Sequence, residues 1–214
     1  MNIDACIFDL DGVICDTAKY HYLAWKRLAN ELGFDFSIED NERLKGVSRM
    51  DSLNILLEIG EKSLDEETKL ALAEKKNSWY VEYISVMKKD EILPGVKNFI
   101  LKLRENNIKV ALGSASKNSM RILKALDIVN LFDCIVDGNR ITKAKPSPEV
   151  FLKGAEELEV SPERCVVFED AAAGVEGAKN ANMFAVGVGD ANVLNKADKI
   201  ISGFENLTLE ILEF

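Results

Sequence analysis

Hydrophobic and polar residues follow two different rhythms along this chain. Residues 5–8 form a short unbroken apolar run, Ala-Cys-Ile-Phe, closed abruptly by Asp9, Leu10, Asp11 and Gly12. A run of that length bounded by a turn signal predicts a strand buried on both faces, as in the middle of a parallel sheet. From residue 17 to about residue 86 the rhythm is helical instead. Thr17, His21, Trp25, Leu28 and Leu32 share one face of a helix that stops at Gly33. Ile38–Lys45 predicts a short helix, Gly46-Val47-Ser48 breaks it, and Arg49–Ile59 and Asp65–Val86 predict two more. No convincing strand falls in this block, which reads as a small helical unit.

After Glu91 the two rhythms alternate. Helical patterns at Val96–Asn106, Lys117–Leu126, Pro148–Leu158 and Ala171–Ala181 are interleaved with apolar runs. Those runs lie at Ile108–Gly113, Cys134–Val136, Cys165–Phe168, Phe184–Val188 and near Lys199–Ile201, before a helical tail. Strands and helices in this order predict an α/β fold with a parallel sheet covered on both faces. The simplest architecture joins the first strand to everything after about residue 90 and inserts the helical block between them.

Composition narrows the function more than the fold. The 214 residues are 47% hydrophobic and 29% charged, with a formal net charge of −9. That balance argues against a nucleic-acid surface, which needs basic clusters. An anionic substrate must then be drawn by a local cation or metal rather than by the overall field. No charged-then-apolar leader and no run near membrane-spanning length occurs, so a cytoplasmic protein without a membrane partner is expected. A monomer is expected. Cys6, Cys15, Cys134 and Cys165 have no metal or redox spacing and are expected to be reduced.

In an open α/β sheet, chemistry sits beyond the carboxyl ends of the strands. Asp9 and Asp11 follow the first strand, with Leu10 turned away between them so that both acids can face one cavity. Ser114 follows the second, Lys145-Pro146 comes after the third, and Glu169-Asp170 follows Cys165–Phe168. Each has an ordinary alternative: Ser114 as a helix cap, Lys145 as a solvated lysine, the acid pair as helix-dipole partners. Together they fit phosphoryl transfer. Asp9 serves as a nucleophile that becomes an acyl phosphate, and Asp11 as general acid and base. Mg²⁺ is the expected cofactor, held by Asp9, Asp170, Glu169 and the main-chain carbonyl of Asp11. Lys145 and the Ser114 hydroxyl meet the remaining phosphoryl oxygens.

DLDGVICDT, followed by Ser114, Lys145-Pro and Glu169-Asp170 at these separations, resembles the haloacid dehalogenase-like superfamily of phosphotransferases over the whole chain. The resemblance implies a Rossmann-like core, residues 1–15 and 88–214, and an α-helical cap, residues 16–87. AKYHYLAWKRLA, LKGVSRMDSL, AEKKNSWYV and GSASKNS further resemble a branch of that superfamily that isomerises hexose phosphates. That branch implies interconversion of β-D-glucose 1-phosphate and D-glucose 6-phosphate through a sugar bisphosphate and phosphorylated Asp9. It also implies that Arg49, Ala115, Ser116, Lys117 and Asn118 hold the phosphate not being transferred. Gly46 and Val47 would line the sugar, with Trp25 nearby, and His21 and Lys76 would align Asp11. On the residues alone, His21 and Trp25 fit cap core as well, Arg49 a solvated helix start, and Lys76 either snorkelling or reaching inward. A sugar-phosphate phosphatase on the same fold and a non-catalytic binder are the alternatives. Cys15 departs from the family pattern, where a small hydroxyl residue is more usual.

Overall fold

The computed structural model describes residues 3–44 and 47–214. Six parallel strands form one sheet: β1 (Ala5–Phe8), β2 (Lys109–Gly113), β3 (Cys134–Val136), β4 (Cys165–Glu169), β5 (Phe184–Val188) and β6 (Lys199–Ile201). Their order is β3-β2-β1-β4-β5-β6, with Phe8 paired to Leu112 on one side and to Phe168 on the other. All four residues of β1 are buried, as a central strand with two covered faces requires.

Alternation along β1 divides the core. Ala5 and Ile7 pack with Val150 and Phe151 of α7 (Glu149–Leu158) and with Val175 and Ala178 of α8 (Ala172–Asn180). Cys6 and Phe8 face the opposite layer, with Phe99 of α5 (Val96–Glu105) and Ile122 of α6 (Ser119–Leu126). On this second face the Phe8 ring stacks on Phe168 at 4.8 Å, and Phe99 and Phe204 close around the pair. Strand order places β1 and β4 side by side, which brings Asp9 and Glu169 to the same rim.

Among the described residues, four α-helices lie between β1 and α5: α1 (Ala18–Glu31), α2 (Ile38–Glu42), α3 (Arg49–Ile59) and α4 (Glu66–Ile84). Ser37, Ser48 and Asp65 each accept an amide of the following first turn, which explains where three of them begin. The chain enters and leaves this helical segment at adjoining points. Cys15 forms an antiparallel bridge with Ile92, and the Leu93 amide donates to the Ile14 carbonyl at 2.9 Å. Glu91 then ties the exit to α1, accepting from Tyr20 Oη at 2.6 Å and pairing with Lys19 at 2.8 Å. We propose that these helices are the cap and the sheet half the core.

Two expected helices differ. The one expected from Lys117 begins at Ser119. Ser114 Oγ accepts from the Ser116 amide at 3.1 Å, and Ser116 Oγ from the Asn118 amide at 3.3 Å, so these hydroxyls hold the backbone in turns. The C-terminal tail is a single 3-10 turn, Leu209–Leu212. Its carbonyl groups at Ile211 and Glu213 are taken by Lys199 Nζ, and Phe214 stacks on Phe184 at 4.2 Å. The four cysteines are free, and Cys134 alone is only half-buried. Among the described residues no helix is long and apolar enough to cross a membrane.

Phe8 is fully buried and its ring stacks on Phe168, with Phe99 and Phe204 against it. Phe8→Ala is expected to cost about 3–5 kcal/mol. A lowered urea midpoint with an unchanged denaturant slope would be the sign of it.

Candidate active site

At the rim, β1 delivers Asp9 and β4 delivers Glu169, both buried. Lys145 Nζ lies between them, 2.5 Å from Asp9 Oδ1 and 2.8 Å from Glu169 Oε2. It is 3% exposed, which removes the reading of a solvated surface lysine. The Lys145–Pro146 peptide is cis. Burial works against the charge on Lys145, but Asp9 and Glu169 outweigh it and raise its pKa above the ordinary lysine value. Burial pushes Glu169 up to about 8, with Lys145 opposing and Asp9 and Asp170 reinforcing.

Asp170 completes an acidic group. One oxygen each from Asp9, Glu169 and Asp170 lies within 4.8 Å of the others. Two glycines let the backbone come close: a Cβ at Gly12, where φ is +77°, would overlap the Asp170 carboxylate, and one at Gly174 would overlap Glu169. An all-oxygen donor set of this kind suits a hard divalent cation. The Asp11 carboxylate is not part of the group; Thr17 Oγ1 donates to its Oδ1.

A cavity of about 290 Å³ opens above the rim. Its walls carry Asp9, Asp11 and Asp170 together with His21, Trp25, Val47, Arg49 and Lys76 from the helical segment. The turn before α6 adds Ala115, Ser116, Lys117 and Asn118. Ser114, Lys145 and Glu169 lie beneath the lining, buried under it. Gly46, and Lys45 before it, fall outside the described residues. Lys76 reaches inward, 2% exposed, with Nζ 3.0 Å from His21 Nδ1 and 4.2 Å above the Trp25 ring. Arg49 is held from behind by Glu74 Oε1 at 2.5 Å.

His21 Nε2 stands 4.0 Å from Asp11 Oδ1. Burial, then the charges of Lys76 and Arg49, push the His21 pKa well below its usual value, so the ring is neutral. A neutral ring that accepts from Lys76 at Nδ1 carries its proton on Nε2, the nitrogen facing Asp11. Burial and Arg49 likewise lower Lys76, although Asp11 opposes them.

Sequence reasoning missed Asn41, Ser52, Asn77, Tyr80 and Thr142, which also line the cavity. Helical spacing offered a signal for two of these. Ser52 lies one turn beyond Arg49, and Tyr80 one turn beyond Lys76.

Comparison with known proteins gives the arrangement a lineage. A haloacid dehalogenase-like hydrolase family model matches residues 3–182. A β-phosphoglucomutase of Bacillus subtilis is 44% identical over 97% of this chain and 93% of its own length. A phosphorylated carbohydrates phosphatase of Thermotoga maritima is 34% identical, covering 85% of this chain and 82% of its own. The crystal structure of a β-phosphoglucomutase from Clostridium difficile superposes with a TM-score of 0.94 at 46% identity, covering 99% of this chain and 96% of that one. The chain belongs to the haloacid dehalogenase-like hydrolase family.

For a haloacid dehalogenase-like protein the protonation of Asp11 is the informative quantity. Burial and then the neighbouring Asp9 charge raise its pKa to about 7, against the pull of Lys145 and Lys76. A carboxyl poised there can both give and take a proton near neutral pH. The same shift carries a stability signature. With its folded pKa above the unfolded value, Asp11 favours the folded state fully below about pH 4, and that contribution is lost as pH rises toward 7. In chelator-treated protein, Asp11→Asn is therefore expected to gain melting temperature relative to the parent between pH 4 and 7, with a flat difference above. A difference that shrinks over that interval would contradict the assignment.

Proposed function

We propose that this protein interconverts β-D-glucose 1-phosphate and D-glucose 6-phosphate, as an isomerase that moves a phosphoryl group by way of Asp9. The observation that carries the reading is a single cavity lined both by the Asp9–Asp11 pair and by Arg49, Ser116, Lys117 and Asn118. A mutase needs two phosphate positions in one enclosure, whereas a phosphatase needs one. The 44% identity to the B. subtilis β-phosphoglucomutase over nearly the full chain supports the same assignment.

In this mechanism the enzyme begins phosphorylated on Asp9. The 6-hydroxyl of β-D-glucose 1-phosphate attacks that phosphorus, Asp11 takes the hydroxyl proton, and the bond from phosphorus to the Asp9 oxygen breaks, freeing the Asp9 carboxylate. β-D-glucose 1,6-bisphosphate results and must reorient, exchanging its two phosphates between the sites. A carboxylate oxygen of Asp9 then attacks the 1-phosphate, the bond from phosphorus to the sugar oxygen breaks, and Asp11 returns its proton to that oxygen. D-glucose 6-phosphate leaves and phospho-Asp9 is restored. Lys145 balances charge on Asp9 throughout, and Ser114 donates toward the phosphoryl oxygens. Arg49 and the Ser116–Asn118 turn hold the idle phosphate, with Ala115 in the same wall. His21 and Lys76 hold Asp11 toward the reacting oxygen, while Trp25 and Val47 enclose the sugar. Asp9, Glu169 and Asp170, with the Asp11 carbonyl, would hold Mg²⁺, which when bound offsets the repulsion between Asp9 and an incoming phosphoryl group.

Enclosure by the helical segment keeps water from the acyl phosphate. With Mg²⁺ and a trace of the bisphosphate, β-D-glucose 1-phosphate is expected to yield D-glucose 6-phosphate at least about a hundred times faster than free phosphate. The α anomer is expected to fail as substrate, and Asp9→Asn to abolish turnover. A coupled assay for glucose 6-phosphate alongside a phosphate assay reads all three. Dominant release of free phosphate would assign the protein to the phosphatases instead.

A further inference from the structure

One polar contact spans the cavity without touching the reacting carboxylates. Asn118 Nδ2, in the turn before α6, donates to Asn77 Oδ1 of α4 at 3.0 Å. Asn118 is 9% exposed and its own amide is already held by Ser116 Oγ, so the turn presents its side-chain amide in a fixed direction. Asn77 directly follows Lys76, whose Nζ reaches His21 beside Asp11. A single turn of α4 therefore bears on both ends of the site. Asn77 grips the segment that would hold the idle phosphate, and Lys76 stands over the acid–base pair.

We infer that Asn77 is a positioning residue, a clasp between cap and core that couples occupancy of the idle-phosphate site to the placement of Lys76 and His21 over Asp11. The inference rests on the mutase reading above and adds a residue to it. The bond joins two neutral amides. Its net worth is on the order of 1 kcal/mol, enough to bias an open-to-closed equilibrium several-fold without locking it. Besides the clasp, the helical segment meets the sheet half where Glu91 holds Tyr20 and Lys19, where Thr17 Oγ1 donates to Asp11, and where His21 Nε2 stands 4.0 Å from Asp11. The ties to Glu91 lie beside the Cys15–Ile92 crossing and need not change when the cap swings, whereas the clasp across the cavity exists only when it is shut. When a phosphate seats against Ser116, Lys117 and Asn118, the clasp is supported from the core side and α4 is drawn down with Lys76. When that position is empty, the clasp has no such support.

The consequence is a choice between two acceptors for the phosphoryl group on Asp9. Transfer to a sugar phosphate needs closure and water exclusion, whereas hydrolysis proceeds in the open form. Weakening the clasp should therefore shift the ratio of transfer to hydrolysis, and should leave untouched any step that uses no second phosphate. Phosphorylation of Asp9 by acetyl phosphate, a small donor with no sugar, is such a step.

The test charges purified full-length enzyme with acetyl phosphate and Mg²⁺. It then chases with water alone or with β-D-glucose 1-phosphate, comparing the parent with Asn77→Ala and with Asn77→Ser. Both replacements are too short to reach Asn118, and alanine suits a helix interior. Each variant is expected to be phosphorylated at the parental rate within a factor of two. Each should show a transfer-to-hydrolysis ratio lowered about fivefold to tenfold, with a matching rise in KM for β-D-glucose 1-phosphate. A ratio within twofold of the parent in either correctly folded variant overturns the clasp. So does an equal fall in acetyl phosphate charging and in sugar transfer, which is the mark of a merely structural role. Parent enzyme that is charged by acetyl phosphate but never transfers to the sugar would overturn the mutase reading, and the clasp with it.

Discussion

Lys145 is buried with Asp9 on one side and Glu169 on the other, and the geometry of the rim follows from that contact. Four carboxylates, Asp9, Asp11, Glu169 and Asp170, meet where the two neighbouring strands β1 and β4 end. Left to themselves, such groups would repel and would each resist desolvation. A cation between two of them lets the chain bring the acids together in a dry place, and removing a buried charge's partner is among the costlier changes a protein can suffer. The two glycines beside the cluster serve the same end, since Gly12 and Gly174 let backbone approach Asp170 and Glu169 where a side chain would not fit.

The helical segment answers this acidity with charge of the other sign. Arg49 and Lys76 face the cavity from above, and Lys117 faces it from the turn before α6. A chain of net charge −9 thus presents to its cavity a field of mixed sign, acidic where a cation belongs and basic where an anion would sit. The two halves are complementary, and the site is whole only where they meet. Lys76 and His21 show how little freedom remains there. Burial lowers the pKa of both, and the contact between Lys76 Nζ and His21 Nδ1 fixes each against the other.

How much of this was legible in the sequence depends on the range over which each feature is determined. β1 was legible because an apolar run closed by Asp9 and Gly12 reports its own burial, and the alternation after residue 90 reports the sheet. The convergence of Asp9, Ser114, Lys145 and Glu169 on one rim followed from strand ends alone. The burial of Lys145 did not, because its partners come from 136 and 24 residues away. Asn77 and Ser52 were opaque for a related reason. A lone polar residue on an amphipathic helix looks the same whether it faces water or a cavity, and only the docking of cap on core decides. The start of α6 was misplaced by two residues because the hydroxyls of Ser114 and Ser116 hold amides that a helix would otherwise have used. The C-terminal tail was misread because Lys199, distant in sequence, takes the carbonyls that a longer helix needs.

The hinge has a consequence for how such a molecule can change over evolutionary time. Because Cys15 and Ile92 are paired neighbours, the sheet sees the whole helical segment as a loop whose two ends already touch. Closing such a loop costs an entropy that grows only slowly with its length. A segment of a different size, or of a different fold, could be spliced between those two residues while β1 kept its partners and the acids kept their rim. On the proposed function, the floor and the roof of the cavity are in that sense separable inheritances, and a change of substrate need not disturb the residues beneath it.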